Sequence, residues 1–425
     1  MSSRIRSVLF WSILAAAFIG PGTVTTAAKS GSAYGLGLLW ALVFSVLATM
    51  VLQEAAARLT LGASANLGSI LGQRSGRGGR RVAYLLFGAI VLGCGAYQGG
   101  NLLGALAGLK LFGEVGRWWL VLLGALAALL LWSGNYRLIT RVLAFVVAGM
   151  GITFVWAAFG AEPAAGDWLQ GLQPRLDEGS ALLAISLIGT TIVPYNLFLA
   201  SGLSRGQTLS EMRWGLLIAV FGGGLITLAI LLTGTQITGE FSFPALAAAL
   251  SERLDGAGPY LLGIGLFAAG LSSAITAPLA AAVTGNSLFG EDIERWSPRG
   301  LYFRLTWGGV LLAGLLFSLT DVRPIPAIIA AQAVNGVILP LVAVFLLLAI
   351  NERSVVQPGF TNPGWLNALG LAIVAVTVFL GLHNIWLALG KIWPALSPEA
   401  DLPVSALLAA AVALVLGWRL RGQPT

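Results

Sequence analysis

The sequence predicts an all-α polytopic membrane protein with about 12 transmembrane helices. Hydrophobic residues make up 57% of the 425 residues and charged residues only 10%, whereas soluble domains carry roughly 25% charged residues. Apolar runs of about 20 residues, enough for a helix to cross a bilayer, recur along the chain. Basic residues are concentrated in alternate gaps between these runs, as in membrane proteins of fixed orientation.

Apolar runs at twelve places are long enough to satisfy their backbone groups as spanning helices: 8–28, 35–57, 82–110, 118–134, 139–160, 181–203, 214–235, 258–285, 303–320, 324–350, 365–389 and 403–420. The first run has no small-residue cleavage site and continues into more apolar sequence, so we interpret it as a span and not as a signal peptide. The gaps leave no room for a separate soluble domain. The lipid bilayer is therefore the expected environment.

The distribution of charge predicts the orientation. With both termini cytoplasmic, the inner loops contain most of the arginines, including the run from Arg74 to Arg81. The outer loops are acidic and contain Glu162, Asp167, Asp177, Glu178, Glu240, Asp255, Glu399 and Asp401. The net charge of +7 thus reflects topology, and no nucleic-acid partner is expected. We predict a multi-pass protein of the inner (cytoplasmic) membrane.

Two spans are interrupted near their middle. The first contains Gly20-Pro21-Gly22-Thr23, and the sixth contains Gly189 to Asn196 with Pro194 inside it. Proline removes a helical hydrogen bond and clashes with the preceding turn. Paired interruptions in corresponding halves are typical of inverted repeats with a substrate site near the bilayer midplane. The pattern predicts a secondary active transporter.

The residues around the breaks resemble a known family. Ile19 to Trp40 is similar, without a gap, to the first-span signature of the Nramp family of divalent metal transporters. Leu52–Leu59, Ala268–Thr276 and Gln332 with Leu339-Pro340 are also similar to that family. The resemblance implies a LeuT-type fold: inverted repeats at 1–160 and 161–350, followed by two extra helices in 351–425.

The sequence departs from that family at the metal site. In the family, the resemblance implies, an Asp and an Asn of the first break and a Met of the sixth span bind the metal. This sequence has Gly20, Thr23 and Val193 at those three positions, and Tyr195 where relatives carry a His. Carboxylates neutralise dications, and soft sulfur selects transition metals. The third span likewise has no acid between Gly95 and Asn101. No metal ligand set and no cofactor are therefore expected.

The loss of negative charge favours a small anion, and bicarbonate is the first candidate. The helix that starts after Gly22 presents unpaired N–H groups and a positive dipole end. The predicted substrate-binding residues are Gly20, Gly22, Thr23, Thr25, Thr26, Lys29, Thr190, Thr191, Val193, Tyr195, Asn196 and Gln332. Lys29 lies six residues after Thr23, about 9 Å along a helix, and either contacts substrate or extends to the outer interface.

Sodium is a candidate coupling ion. The resemblance to LeuT-type transporters implies a site built from Gly20, Ser272, Ser273 and Thr276, although small residues there also suit close helix packing. The alternative function is a Mg²⁺ or Mn²⁺ transporter, proton-coupled or uncoupled, because a hydrated ion needs few direct ligands. No span contains the residues of an intramembrane protease, so an enzyme is not expected. Glu54 and Arg58, four residues apart, are predicted to form a structural or gating ion pair, with a proton relay as the alternative.

Overall fold

The apolar runs of the sequence become helices because a backbone in hydrocarbon has to satisfy its own hydrogen-bonding groups. A computed structural model describes residues 19–63, 65–72, 77–134, 136–290, 292–390, 393 and 398–421. No strand occurs among these residues. The predicted all-α polytopic architecture is confirmed.

The first half of the chain contains one helix that follows a break, four long helices and two short ones: α1 (Pro21–Tyr34), α2 (Leu39–Ala63), α3 (Leu67–Gly72), α4 (Arg77–Lys110), α5 (Trp118–Ser133), α6 (Tyr136–Ala158) and α7 (Ala165–Gly171). The second half opens with the second broken span and ends with two peripheral helices: α8 (Ala181–Thr191), α9 (Pro194–Leu203), α10 (Leu209–Thr235), α11 (Phe243–Ser251), α12 (Gly258–Phe289), α13 (Ile293–Trp296), α14 (Leu301–Leu319), α15 (Pro324–Ile350), α16 (Gly364–Gly390) and α17 (Pro398–Arg421).

Ten helical segments in the described ranges are long and apolar enough to cross a membrane, with α8 and α9 forming one of them. Helix α5 is apolar but has only 16 residues. The predicted first run, 8–28, lies outside the described residues up to position 18. The described part of this run is longer than predicted, because α1 continues past Lys29 to Tyr34. The helix ends at Gly35, which has a φ of 54°. The buried hydroxyl of Ser30 donates to the carbonyl of Thr26, which lets the helix continue through polar sequence.

The two interrupted spans lie in the centre of the bundle. Nearly every residue from Pro21 to Gly31 in α1 is buried, and so is α8 from Ala181 to Thr190 except Leu182. Helices α4, α10, α12 and α15 surround them, with α12 packed extensively along α4 and α15 along α8. The outer helices expose large apolar side chains such as Phe145 and Trp418. Such exposure is expected where hydrocarbon is the solvent.

Helices α1 and α10 pack backbone against backbone. A Cβ atom on Gly31 would overlap the carbonyl of Leu231, and one on Gly234 would overlap the carbonyl of Ala28. Small residues allow this close approach, which is common where helices associate without a hydrophobic driving force.

The predicted ion pair between Glu54 and Arg58 is confirmed and is part of a larger network. The Nε atom of Arg58 lies 3.0 Å from the Glu54 carboxylate, and Arg213 of α10 donates to the same carboxylate from 2.7 Å. Arg58 is 2% exposed and also donates to the carbonyl of Phe360 and to Asn362. The network joins α2, α10 and the segment before α16.

Asp401 does not lie in an outer loop, as the charge pattern predicted, but within α17. Its Oδ2 atom is 2.7 Å from Nδ1 of His383 in α16, and both residues are buried. A carboxylate can be buried when it has such a partner. Asp401 is therefore buried in the protein although it lies near the end of a predicted span.

Candidate functional site

The first break lies at Ile19 and Gly20, which are not helical, and α1 begins at Pro21. Gly20 is the N-cap, with extended backbone and no side-chain cap. Because proline has no N–H, the first helical donors available at this end are those of Gly22 and Thr23. The positive end of the α1 dipole therefore points towards the break.

The second break separates α8 from α9. Helix α8 ends at Thr191, and α9 begins at Pro194 with Val193 as its N-cap. The last turn of α8 ends in carbonyl groups that have no following helical N–H, so its end is negative. The Oγ1 atoms of Thr23 and Thr190 lie 2.9 Å apart and join the two breaks. The site therefore has a donor-rich and an acceptor-rich helix end.

Tyr97 of α4 occupies the space beside Gly20. A Cβ atom on Gly20 would lie 3.0 Å from the Tyr97 hydroxyl and 3.4 Å from Oγ of Ser273. The Tyr97 ring also meets the ring of Tyr195 edge to face, with centroids 6.3 Å apart. The hydroxyl of Tyr97 thus takes the place towards which a side chain at position 20 would extend.

Gln332 of α15 lies against both breaks. Its side-chain amide is packed on Gly22, where any Cβ atom would overlap it, and its backbone carbonyl is equally close to Gly189. The structure therefore places Gln332 beside both breaks, and its role in binding substrate stays a prediction. Val193 is 1% exposed and contributes an apolar side chain.

Five buried polar side chains flank the breaks and have atoms without a hydrogen-bond partner in the part of the chain that the structure describes. We call them the central cluster: Thr25, Thr26, Tyr97, Asn196 and Gln332. The atoms concerned are three hydroxyls, the Gln332 side-chain oxygen and both amide atoms of Asn196. Buried polar groups are nearly always paired, so unpaired atoms on residues within and next to the two broken spans indicate that water or a substrate supplies the missing partners.

Several other residues predicted to bind substrate or sodium make different contacts in the structure. The Thr191 hydroxyl donates to the carbonyl of Leu187 in its own helix. Lys29 is partly exposed, and the structure does not bring it to the central cluster by any contact. Of the proposed sodium ligands, Ser272 and Thr276 donate to carbonyls of their own helix. Only Ser273 faces Gly20.

A cavity of about 620 Å³ lies at the C-terminal end of α1, the end predicted to be external. Its charged lining consists of the carboxylates Glu162, Asp167 and Asp177 together with Arg175. Three acids against one arginine give this lining a formal charge of −2, and a lining of that sign favours cations over anions.

Comparison with known proteins identifies the family. The profile described as natural resistance-associated macrophage protein-like matches residues 12–387. The chain belongs to the Nramp family. A divalent metal cation transporter MntH of Klebsiella pneumoniae subsp. pneumoniae is 26% identical over 400 residues, covering 89% of this chain and 93% of the relative. The MntH of Deinococcus radiodurans is also 26% identical, covering 89% of each chain.

Solved structures show the same fold. A crystal structure of the Eremococcus coleocola manganese transporter superposes with a TM-score of 0.73 at 19% identity, covering 98% of this chain and 93% of that one. The nucleobase-cation-symport-1 family transporter Mhp1 superposes with a TM-score of 0.52 at 15% identity, covering 97% and 93%. The chain is therefore a multi-pass Nramp-family transporter of LeuT-type fold, and it is not an enzyme.

The structure describes the three positions that the resemblance implied to bind metal. Gly20 and Val193 provide no ligand side chain, and the Thr23 hydroxyl is bonded to Thr190. Within the described residues, no group of three or more His, Cys, Asp or Glu side chains could hold a metal ion. The side chains of Gly20, Thr23 and Val193 carry no formal charge that would compensate a bare dication.

Sequence reasoning did not single out Tyr97 as a site residue. The signal was available, because Tyr97 lies in the stretch of the third span where the resemblance implies acidic residues. The Nε2 atom of its neighbour Gln98 donates to the carbonyl of Ala274 in α12 from 3.2 Å.

Proposed function

We propose that this Nramp-family protein is a secondary transporter of the inner membrane that carries a divalent cation in largely hydrated form, with Mg²⁺ as the first candidate and Mn²⁺ as the second. The observation that carries the proposal is the acid-lined outer cavity at the end of α1. We take this cavity as the outer entrance of the pathway, where a cation is attracted and bicarbonate is repelled. Relatives named divalent metal cation transporters support the same substrate class.

The neutral centre is compatible with a hydrated ion. Mg²⁺ loses its water reluctantly and usually keeps several waters when bound. Those waters donate hydrogen bonds, and the central cluster offers unpartnered hydroxyl and amide oxygens that accept them. The negative C-terminal end of α8 adds attraction for positive charge. Tyr97 fills the position beside Gly20 and leaves little space for a bare ion there, which disfavours Mn²⁺ as a bare ion.

Bicarbonate transport remains the second candidate. It is supported by the N-terminal end of α1, where the N–H groups of Gly22 and Thr23 face the break, and by the absence of acidic side chains among the described residues of the central cluster. In this case Lys29 would attract the anion, and sodium near Gly20 and Ser273 would be the coupling ion.

Reconstituted protein distinguishes the two candidates. Proteoliposomes are assayed separately for uptake of Mg²⁺, Mn²⁺ and labelled bicarbonate, against protein-free liposomes. We expect saturable Mg²⁺ uptake, weaker Mn²⁺ uptake and no bicarbonate uptake. Bicarbonate uptake without uptake of either metal would overturn the proposal in favour of the second candidate.

Two threonine-to-valine variants, one in the central cluster and one outside it, test whether the cluster binds the substrate. Thr26→Val removes an unpartnered buried hydroxyl of the central cluster, whereas Thr284→Val removes a buried hydroxyl that donates to Ala280 within α12. We expect Thr26→Val to slow uptake by about tenfold, since a charge-assisted hydrogen bond contributes about 1.5–3 kcal/mol. Thr284→Val is expected to retain the wild-type rate.

A further inference from the structure

A second large cavity lies at the opposite end of the bundle, outside the transport site. It has a volume of about 990 Å³ and is bounded by α5, α12, α14 and the start of α6. One wall is apolar, with Leu279, Val283 and Phe303 along it. The rim is polar and basic; we call this cavity the basic groove, and its rim consists of Trp132, Ser133, Asn286, Arg299, Arg304 and Trp307.

The guanidinium group of Arg304 is held in place by aromatic rings. Its central carbon lies 4.2 Å from the ring centroid of Trp132, and that ring meets Trp307 edge to face at 6.4 Å. Arginine stacked on an indole keeps its edge N–H groups free for other partners. Trp132 is 63% exposed, as is typical of tryptophans at the membrane interface.

The two arginines of the groove are not neutralised within the described residues. Neither Arg299 nor Arg304 forms an ion pair there, although Arg295 in the same loop pairs with Asp292 at 3.5 Å and donates to Tyr302. The groove thus combines two uncompensated cations with an apolar wall that continues towards the membrane interior. Free phosphate would contact only the two arginines, whereas a phospholipid contacts the arginines with its head group and the apolar wall with its acyl chain.

We infer that the basic groove binds an anionic phospholipid of the leaflet predicted to be cytoplasmic. The phosphate of the lipid interacts with Arg299 and Arg304, and its acyl chain lies along the wall formed by Leu279, Val283 and Phe303. Basic pockets between membrane helices on the cytoplasmic side suit such head groups. Arg304, stacked on Trp132, presents a planar fork that matches a phosphate.

Native mass spectrometry of the full-length protein in detergent tests this inference. The probes are dioleoyl phosphatidylglycerol, dioleoyl phosphatidylcholine and inorganic phosphate. We expect phosphatidylglycerol to bind more tightly than phosphatidylcholine. Each basic residue near the surface contributes about fivefold to the affinity, so R299Q/R304Q is expected to weaken phosphatidylglycerol binding on the order of 25-fold.

The matched control is R295Q/R353Q, which removes the same charge from the same end of the bundle but outside the groove. It is expected to retain the lipid affinity. Trp132→Leu keeps every charge and is expected to weaken binding several-fold, so the inference stays testable if the double arginine variant does not fold. Equal binding of the two lipids, equal losses in both double variants, or full displacement of phosphatidylglycerol by inorganic phosphate would each overturn it.

Discussion

The hydroxyl oxygens of Thr23 and Thr190 lie 2.9 Å apart and connect the first interrupted span to the sixth. The two residues are 167 positions apart in sequence, and both are buried at the end of a half-helix. This hydrogen bond lies where the resemblance to the Nramp family implies a metal-ligating amide. In this structure the Thr23 hydroxyl takes part in an interaction within the protein.

A double-mutant cycle measures this connection. Thr23→Val or Thr190→Val alone leaves one buried hydroxyl without this partner, which costs about 1–3 kcal/mol of unfolding free energy. The double variant T23V/T190V removes both hydroxyls, so we expect it to be less destabilised than the sum of the two single variants. Chemical unfolding in detergent provides the measurement, and strictly additive losses would contradict the hydrogen bond.

Introducing a carboxylate at the first break is expected to strengthen binding of a bare metal ion. A Cβ atom on Gly20 lies 3.0 Å from the Tyr97 hydroxyl, so Gly20→Asp needs Tyr97→Ala to provide space. We expect G20D/Y97A to bind Mn²⁺ at least about tenfold more tightly than the wild type, because carboxylates neutralise dications. Isothermal titration is the measurement, with G20N/Y97A as the uncharged control of similar size. Equal affinity in both variants would exclude a charge effect.

The acidic outer cavity is expected to increase the rate of cation capture. Replacing Glu162 and Asp177 with Gln and Asn should raise KM for Mg²⁺ several-fold at low ionic strength and less at 1 M salt, where the Debye length is about 3 Å. The control replaces Glu240 and Asp255, predicted on the same side but outside the cavity lining. A salt-independent change, or an equal change in the control, would argue against electrostatic attraction.

In the network of Glu54, Arg58 and Arg213, the loss of Glu54 is expected to lower the unfolding free energy more than the loss of Arg213. Glu54→Gln leaves the buried Arg58 without its carboxylate, and breaking a buried pair typically costs 3–5 kcal/mol, so we expect about 3 kcal/mol. Arg213→Gln removes a partner that is 51% exposed, and we expect less than about 1 kcal/mol. Unfolding free energies of the two variants provide the comparison. A larger loss in Arg213→Gln would show that Arg58 does not depend on Glu54.

Metal uptake is expected to proceed without proton movement. The central cluster contains no carboxylate among the described residues, and Glu54 is held by two arginines. A pH-sensitive dye enclosed in the proteoliposomes should therefore show no acidification during Mg²⁺ uptake. Acidification in proportion to the imported metal would reveal a proton carrier that the structure does not show.

The sequence predicted the features that depend on local chemistry. Length, apolar composition and the glycine and proline residues at Gly20, Pro21 and Pro194 were sufficient for the span pattern and for both breaks. The predictions missed the features that depend on tertiary packing. Asp401 is covered by α16 because His383 pairs with it, and Tyr97 reaches Gly20 from a different span. Neither contact leaves a periodic pattern in the sequence.

The backbone contact between α1 and α10 has a mechanical consequence. Helices separated by side chains can shift past each other when those side chains change rotamer. Here the backbones are in direct contact, because the carbonyl of Leu231 lies on Gly31 and the carbonyl of Ala28 lies on Gly234, so no side chains separate the two helices. We therefore expect any opening of the outer pathway that tilts α1 to move α10 together with it. The expected pivots are the two ends of α1: the non-helical backbone at Gly20 and the turn at Gly35, where φ is 54°.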